Sequence, residues 1–481
     1  MRLNDLIAGG AVTGPGGAAR VTGFAIDSRK VAPGTVFGAF RGTAHNGEDY
    51  ITQAIAAGAI AVVARPEAIV RGALHIADGE PRRAFAVMAA RFFAPFPETV
   101  VAVTGTNGKT STVELTRQLW RMAGHHAASI GTLGVTTADD QVSTGLTTPD
   151  IATFLSNMAG LRREGVSHAA FEASSHGLSQ FRTEGLAVQA AAFTNLSRDH
   201  LDYHGTMDAY LEAKLRLFGE VLAADGSAVV WADDAASTRV VEIARERGVR
   251  ILSVGERGEA LRLVARAPTH LGQALTIAAD GRTHRVDLPL IGAYQAANAL
   301  VAAGLVIATG GDTGEVLARL QRVQPVRGRL ERAAISRTGA PIYVDYAHTP
   351  DGLDAAIQAL RPHTAGRLIV LFGAGGDRDR GKRPIMGEIA CRLADVVVVT
   401  DDNPRSEDPA DIRSEIMAAA ACATEVGDRA EAIRKAVGML KSGDTLIVAG
   451  KGHEEGQTIG GVTLPFSDHA ELRKALEELK S

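Results

Sequence analysis

The sequence predicts an α/β chain of three domains, and three observations carry that reading. At 481 residues the chain exceeds what one core fills, at roughly 100–200 residues per domain. Proline breaks fall at Ala94-Pro95-Phe96-Pro97 and at Gln324-Pro325-Val326-Arg327-Gly328, where periodic patterns stop. Between and beyond them, continuous apolar runs alternate with helical patterns, as strands of a parallel sheet buried on both faces do. The expected boundaries are 1–97, 98–325 and 326–481.

In the first, smaller α/β region, strand-like runs are expected at Gly23–Ile26, Val36–Phe40, Ala59–Val63 and Ala73–Ile76, with a helix near Arg82–Phe93. The central region opens on Val100–Val103, which enters a glycine-rich turn and then a helix from about Thr112. Ala169–Phe171 and Ala191–Phe193 are further buried strands there. In the last region Leu368–Phe372, Val396–Thr400 and Leu446–Ala449 read the same way. Each of these six strands runs directly into a polar cluster. In open α/β sheets, ligands sit beyond the carboxyl ends of the strands. Six such loops in two regions imply two facing crevices, with ligand bound between domains.

Hydrophobic residues make up 46% and charged residues 22%, with a formal net charge of −4 and no long run of one sign. That balance is globular and offers no basic surface for nucleic acid or a membrane. The start, MRLNDLIAGG, lacks a cationic segment followed by an apolar block, so no signal peptide is expected. Apolar stretches such as Ala296–Ala308 stop short of the ~18 residues a membrane helix needs. The two cysteines, Cys391 and Cys422, suggest neither a metal site nor a disulfide framework, and a reducing cytoplasm is expected.

Val103-Thr104-Gly105-Thr106-Asn107-Gly108-Lys109-Thr110-Ser111 lies between a strand and a helix. Glycines let the backbone turn its N–H groups inward, making a nest for phosphate oxygens. Lys109 would place charge on the β- and γ-phosphates, and Thr110 could offer its hydroxyl to Mg²⁺. Val103 stands where the longer phosphate-loop pattern has its first glycine. A helix-capping turn with a surface lysine is the plainer alternative; the flanking strand and amphipathic helix weigh against it.

Glu172 emerges from a buried strand in Phe171-Glu172-Ala173-Ser174-Ser175-His176, where a carboxylate can hold Mg²⁺, a cation that prefers oxygen. A solvated loop is the bland reading. The next strand delivers Asn195-Leu196-Ser197-Arg198-Asp199-His200-Leu201-Asp202-Tyr203-His204. Imidazole is an unusual partner for Mg²⁺, and the pattern alone makes no choice among Asp199, His200, Asp202 and His204. Lys214 lies on the edge of an apolar stripe formed by Met207, Leu211, Leu215 and Phe218. Desolvation would lower its pKa and free a neutral amine; a lysine stem snorkelling along the core is the alternative.

Together these motifs resemble the Mur ligases, a family that adds amino acids to UDP-N-acetylmuramoyl precursors of peptidoglycan, and the likeness runs the length of the chain. It implies a P-loop-type, mostly parallel central sheet with helices and a Rossmann-like C-terminal domain. Gly105-Thr106-Asn107-Gly108-Lys109-Thr110 matches the family's nucleotide loop, which accounts for the absent first glycine. Glu172 and His200 match its magnesium ligands. Lys214 matches a lysine that is carbamylated in most members, where the carbamate supplies oxygen to a second Mg²⁺. Asn298, in Ala293-Tyr294-Gln295-Ala296-Ala297-Asn298, resembles a contact to adenine. Arg329 and Asp345 resemble nucleotide contacts from the C-terminal domain.

Within the family, the resemblance is to members that extend UDP-N-acetylmuramoyl-L-alanyl-D-glutamate by a third peptide residue. Ser28, in Asp27-Ser28-Arg29, with Thr43, Ala44 and His45, resembles the uridine diphosphate site. Thr147, Thr148, Ser174, Gln180 and Arg182 match positions that hold the muramoyl-dipeptide. Leu146 departs from members that carry Asn before the paired threonines. Asp402-Asn403-Pro404-Arg405 resembles the signature for meso-diaminopimelate rather than lysine, with Arg378, Gly450 and Glu454 as further contacts. A guanidinium fork suits the extra carboxylate of diaminopimelate.

The resemblance implies that ATP phosphorylates the D-glutamate γ-carboxylate and that an amine displaces phosphate from the acyl phosphate. Two Mg²⁺ ions and Lys109 would neutralise the anions, with catalysis drawn from Lys109, Lys214, His200 and Glu172. His348 and the departing phosphate are candidates for the proton acceptor. A monomer is expected. Folylpolyglutamate synthase shares the nucleotide core and chemistry but has no need of the first domain. A nucleotide-switched binding protein would hydrolyse ATP without an amino acid.

Overall fold

The computed structural model describes residues 1–7, 15–42, 45–142, 145–269 and 272–478. Three main sheets follow one another along the chain. The first holds four parallel strands in chain order, Gly23–Ala25, Thr35–Gly38, Ala59–Ala64 and Leu74–Ala77. The helix Pro81–Phe93 covers this sheet, and Phe85 meets Phe24 and Phe40 edge-on at ring separations of 5.2 and 5.4 Å.

The second sheet has eleven strands. Its centre is parallel and reads, across the sheet, Leu222–Trp231, Val188–Phe193, Thr99–Thr104, His168–Glu172 and Ala127–Gly131. Antiparallel strands close both edges. Side chains alternate faces along a strand, so Thr99–Thr104 sends Val100 and Ala102 into one core and Val101 and Val103 into another. That is why the stretch Val100–Val103 contains no polar residue.

The third sheet orders its strands Glu331–Ile335, Pro341–Asp345, Thr445–Ala449, Leu368–Phe372, Val396–Val399 and Thr424–Glu425, all but the first pair parallel. Leu368, Val370 and Phe372 feed one core while Ile369 and Leu371 feed the opposite one.

Three expectations need correction. The helix after the glycine turn is Lys109–Met122, so it starts three residues before Thr112, capped by Gly108 in a left-handed conformation. Lys214 is not at the edge of a buried stripe. In the helix Met207–Arg216 the inward face carries Tyr210, Ala213, Lys214 and Leu215, and Lys214 is 1% exposed. Met207 and Leu211 are only half-buried, because the aromatic ring of Tyr210, not counted in the stripe, rotates the buried face toward the phosphate loop. Finally, Cys391 and Cys422 form a disulfide across 31 residues, with Cα atoms 5.8 Å apart. Helix Lys382–Leu393 packs on helix Pro409–Met417, and only that packing brings the two positions together. Among the described residues no helix is long and apolar enough to cross a membrane.

Candidate active site

The strand Thr99–Thr104 ends in a loop whose shape depends on two glycines. Gly105 has φ +146° and Gly108 φ +85°. A Cβ at Gly105 would stand 1.9 Å from Thr194 Oγ1, and one at Gly108 2.2 Å from Asn298 Oδ1, so neither position has room for a side chain. The neighbouring strand end laces the loop down. Thr106 N donates to Asn195 O (2.9 Å), Asn107 N to Asn195 Oδ1 (2.9 Å), and Thr194 Oγ1 to Asn107 O (2.6 Å).

Two lysines converge beneath this loop. Lys109 Nζ donates to the carbonyls of Gly105 (2.9 Å) and Thr106 (2.7 Å). Lys214 Nζ donates to the same Gly105 carbonyl at 2.8 Å and lies 4.2 Å from the Tyr210 ring centroid. Burial, reinforced by the Lys109 charge, pushes Lys214 well below the usual lysine range. That direction favours the neutral, nucleophilic form of the amine.

Glu172 is 2% exposed, and its carboxylate accepts from Thr132 N (2.7 Å) and Thr132 Oγ1 (3.1 Å). His200 occupies a left-handed conformation, φ 53°, uncommon for a non-glycine residue though histidine adopts it more readily than most. Burial lowers its pKa to about 3. Both residues, with Lys109, Lys214, Asp199 and Arg329, line a cavity of about 160 Å³ over the loop. Arg329 reaches it from the C-terminal domain, donating from Nη2 to Thr110 Oγ1 at 2.9 Å; its Nε is buried without a partner.

A second cavity of about 440 Å³ adjoins the first, lined by Ser111, Asn298, Tyr294, Trp231 and Asp345 among others. Asp345 accepts from Ala347 N at 2.8 Å and from Leu330 N, and burial lifts its pKa to about 6. A third cavity, about 410 Å³, brings Thr147, Thr148, Ser174 and Arg182 opposite Arg378, Asp402, Asn403, Arg405, Gly450 and Glu454. Asp199, His200, Tyr346 and His348 line both this cavity and the first, so the phosphate loop and these side chains face one hollow.

Within the third cavity, Arg405 is a left-handed residue, φ 55°. Its backbone is clamped to the hairpin Gly456–Ile459/Val462–Pro465: Arg405 N donates to Thr458 O (2.9 Å) and Gly460 N to Arg405 O (2.7 Å). No carboxylate lies within ion-pair distance of Arg405 among the described residues. Glu454 is paired with Lys451 at 3.2 Å, whereas Asp402 Oδ2 is buried with no hydrogen-bond partner.

Other expected residues stand apart. Ser28 is buried in the first domain, its hydroxyl donating to Gln53 Oε1 at 3.1 Å, and Arg29 holds the Asp27 carboxyl down at about 2. Ser28, exposed His45 and Pro404 line none of the three cavities. Thr43 and Ala44 fall outside the described residues. Gln180 Oε1 accepts from Arg182 Nη2 (2.7 Å), and Arg182 Nη1 donates to Thr148 O (2.9 Å). Sequence reasoning missed Thr132, Tyr210, Trp231, Lys382 and Lys451. Trp231 had a signal, since it ends a strand in the sheet that carries the loop; Lys382 and Lys451 had none.

The donor set suits a hard cation. Among the described residues no three His, Cys, Asp or Glu side chains sit close enough to hold a metal by themselves. Mg²⁺ is ordinarily held by one or two carboxylates plus phosphate and water, and Glu172 and Thr110 on the phosphate loop meet that pattern.

Comparison with known proteins identifies the family. A model of the Mur ligase middle domain matches residues 103–306, one of the Mur ligase glutamate ligase domain matches 328–452, and one of the Mur ligase family catalytic domain matches 20–94. A Zymomonas mobilis protein named UDP-N-acetylmuramoyl-L-alanyl-D-glutamate--2,6-diaminopimelate ligase is 60% identical over 460 residues, 95% of each chain. An Agrobacterium fabrum protein of the same name is 51% identical over 464 residues, 96% of this chain and 95% of its own. The solved structure of a ligase of that name superposes with a TM-score of 0.73 at 31% identity, covering 100% of this chain and 99% of the other. Likeness that spans every sheet, together with a phosphate loop faced by two buried or half-buried lysines, establishes that the chain belongs to the Mur ligase family.

Proposed function

We propose that this ATP-dependent ligase joins meso-diaminopimelate to the D-glutamate γ-carboxylate of UDP-N-acetylmuramoyl-L-alanyl-D-glutamate, a step of peptidoglycan synthesis. One observation carries the choice of amino acid: Arg405, without an acidic partner, and Asp402, with an unpaired buried oxygen, line the same hollow as the phosphate loop. Diaminopimelate ends in a carboxylate and an ammonium, which those two groups complement. The relatives' shared name supports the same reading.

In this reading the γ-phosphoryl group moves to a carboxylate oxygen of the D-glutamate and ADP departs. The amine then attacks the acyl carbon, and the carbon–oxygen bond to phosphate breaks. Lys109 and the loop N–H groups hold the triphosphate, Asn298 and Asp345 the nucleoside, and Arg329 ties the C-terminal domain to Thr110. Thr147, Thr148, Ser174, Gln180 and Arg182 orient the dipeptide; Ser28 and His45, with Thr43 and Ala44, hold the uridine diphosphate. Glu172, His200, Thr110 and a carbamate on Lys214 would ligate two Mg²⁺ ions, which supply charge neutralisation. His348 suits the proton acceptor. Its Nδ1 lies 2.7 Å from the Tyr346 carbonyl, a contact that puts the proton on Nδ1 and leaves Nε2 free to accept, although burial lowers its pKa to about 4 and makes it a weak base.

The domain boundaries we propose are 1–97, 98–325 and 326–481, with a cytoplasmic, monomeric enzyme. In that compartment the Cys391–Cys422 disulfide would face reductants. The test is ADP release with the UDP-muramoyl dipeptide and a panel of amino acids. Release should require the precursor and favour meso-diaminopimelate; equal incorporation of lysine would refute the assignment, and ATP turnover without an amino acid would favour a nucleotide switch.

A further inference from the structure

Beneath the third cavity lies an ion pair that no part of the proposed chemistry uses. Arg429 opens the helix Arg429–Gly438 and Asp468 opens the final helix Asp468–Glu478. Both side chains are 0% exposed. The guanidinium grips the carboxylate with two bonds, Nε to Oδ1 and Nη2 to Oδ2, each 2.8 Å. Its remaining reach goes to backbone: Nη2 donates to Ala449 O at 3.0 Å and Nη1 to Asp401 O at 3.3 Å.

Those two carbonyls are not arbitrary. Ala449 ends the strand Thr445–Ala449, and Asp401 lies just beyond the strand Val396–Val399. The strand Leu368–Phe372 separates them in the sheet, so no ladder bond joins them directly. The residue after each carbonyl, Gly450 or Asp402, lines the cavity. Asp402 packs so closely on Gly450 that a Cβ there would stand 2.3 Å from Asp402 Oδ2. One planar guanidinium therefore bridges the two backbone segments whose separation sets where the unpaired Asp402 oxygen points.

A buried pair of this kind is poorly explained by stability alone, because well-packed apolar residues commonly replace such pairs without loss. We propose that the Arg429–Asp468 pair is a positioning device for the amino-acid pocket: it fixes the Asp402–Gly450 spacing, and through it the affinity and selectivity for the diaminopimelate end group, without touching the ligand. The inference rests on the reading of Asp402–Arg405 as the amino-acid site.

The decisive variant is the double substitution Arg429→Met with Asp468→Leu, which removes both charges and strands neither. Two lost hydrogen bonds to backbone should raise the KM for diaminopimelate about tenfold and narrow its preference over lysine by a similar factor. The KM values for ATP and the UDP-precursor and the melting temperature should stay near those of the unmodified enzyme. An unchanged KM for diaminopimelate in the folded double variant overturns the proposal. So does a joint rise in all three KM values with a lowered melting temperature, which marks a purely structural pair. Should the double variant not fold, Arg429→Lys keeps the charge pair but cannot bridge both carbonyls. It must raise the amino-acid KM severalfold, and no change sinks the idea. Arg405→Ala, run in parallel, separates the two readings: if it leaves diaminopimelate use intact, the site itself is misassigned, whereas a crippled Arg405→Ala beside normal Arg429 variants refutes only the positioning role.

Discussion

The phosphate loop and the cavity we propose as the amino-acid pocket both hold charged groups, and they are built by opposite means. The loop is one contiguous stretch, 105–111, shaped by two glycines in conformations other residues avoid and by donors of its own backbone. The pocket draws on loops at 373–383, 402–405 and 450–454, and its key cation, Arg405, is itself a left-handed residue. That conformation costs a non-glycine residue about 1–2 kcal/mol. It is sustained by two backbone bonds to a hairpin more than 50 positions later, so the strain at Arg405 is offset non-locally. A backbone-built site tolerates little at its glycines, whereas a side-chain-built site is exposed to any change in the scaffold under it.

The largest effect expected is at the junction of the two lysines. Lys214→Ala should lower turnover about 10²–10³-fold, the scale of losing one oriented charge stabiliser. A short carboxylic acid added to the buffer should restore part of that rate if a carbamate is the working form. Near-normal turnover in the alanine variant would remove Lys214 from the mechanism.

Next comes the pocket. Arg405→Ala should reduce kcat/KM for diaminopimelate about a hundredfold or more, since a bound carboxylate would lose its charged partner at a cost of about 3–5 kcal/mol. Lysine use should change much less. Competition between the two amino acids, with products separated by mass, reads the ratio directly; an unchanged ratio would show that Arg405 does not read the carboxylate.

Gly108→Ala tests the backbone side of the comparison. The strain of φ +85° and the close Asn298 Oδ1 should raise the KM for ATP about tenfold, with the amino-acid KM untouched. Equal changes in both would mean that the loop and the pocket are one mechanical unit. The smallest effect belongs to the first domain. Ser28→Ala should raise the KM for the UDP-precursor a few-fold at unchanged kcat, as loss of a contact equal in ground and transition states does. A fall in kcat at saturating precursor, with KM steady, would contradict that division of labour.

How far the chain could be read from its residues follows the same contrast. Strand cores such as Leu368–Phe372 were legible because burial on both faces forbids polar residues. The phosphate loop was legible because glycine spacing is local. Burial of Lys214 was not legible from the pattern, which left a snorkelling stem as the alternative, because the stripe was drawn without Tyr210, whose ring counts as apolar surface once its hydroxyl bonds Thr106 Oγ1 at 3.3 Å. The disulfide was invisible, since a 31-residue separation carries no information about which helix faces meet.

The sequence by itself determined three α/β units and the glycine-rich loop, because period, glycine spacing and strand-end polarity act over a few residues, whereas the roles of the residues around the loop came from the family resemblance. Only the tertiary structure decided that Arg329 reaches Thr110 across a domain boundary, that Lys109 and Lys214 share one carbonyl, and that Arg429 bridges two strand ends. Each of those contacts joins positions 20 to 219 residues apart except the Lys109–Gly105 turn. Their geometry is fixed by how sheets and helices pack, which no short stretch of chain encodes.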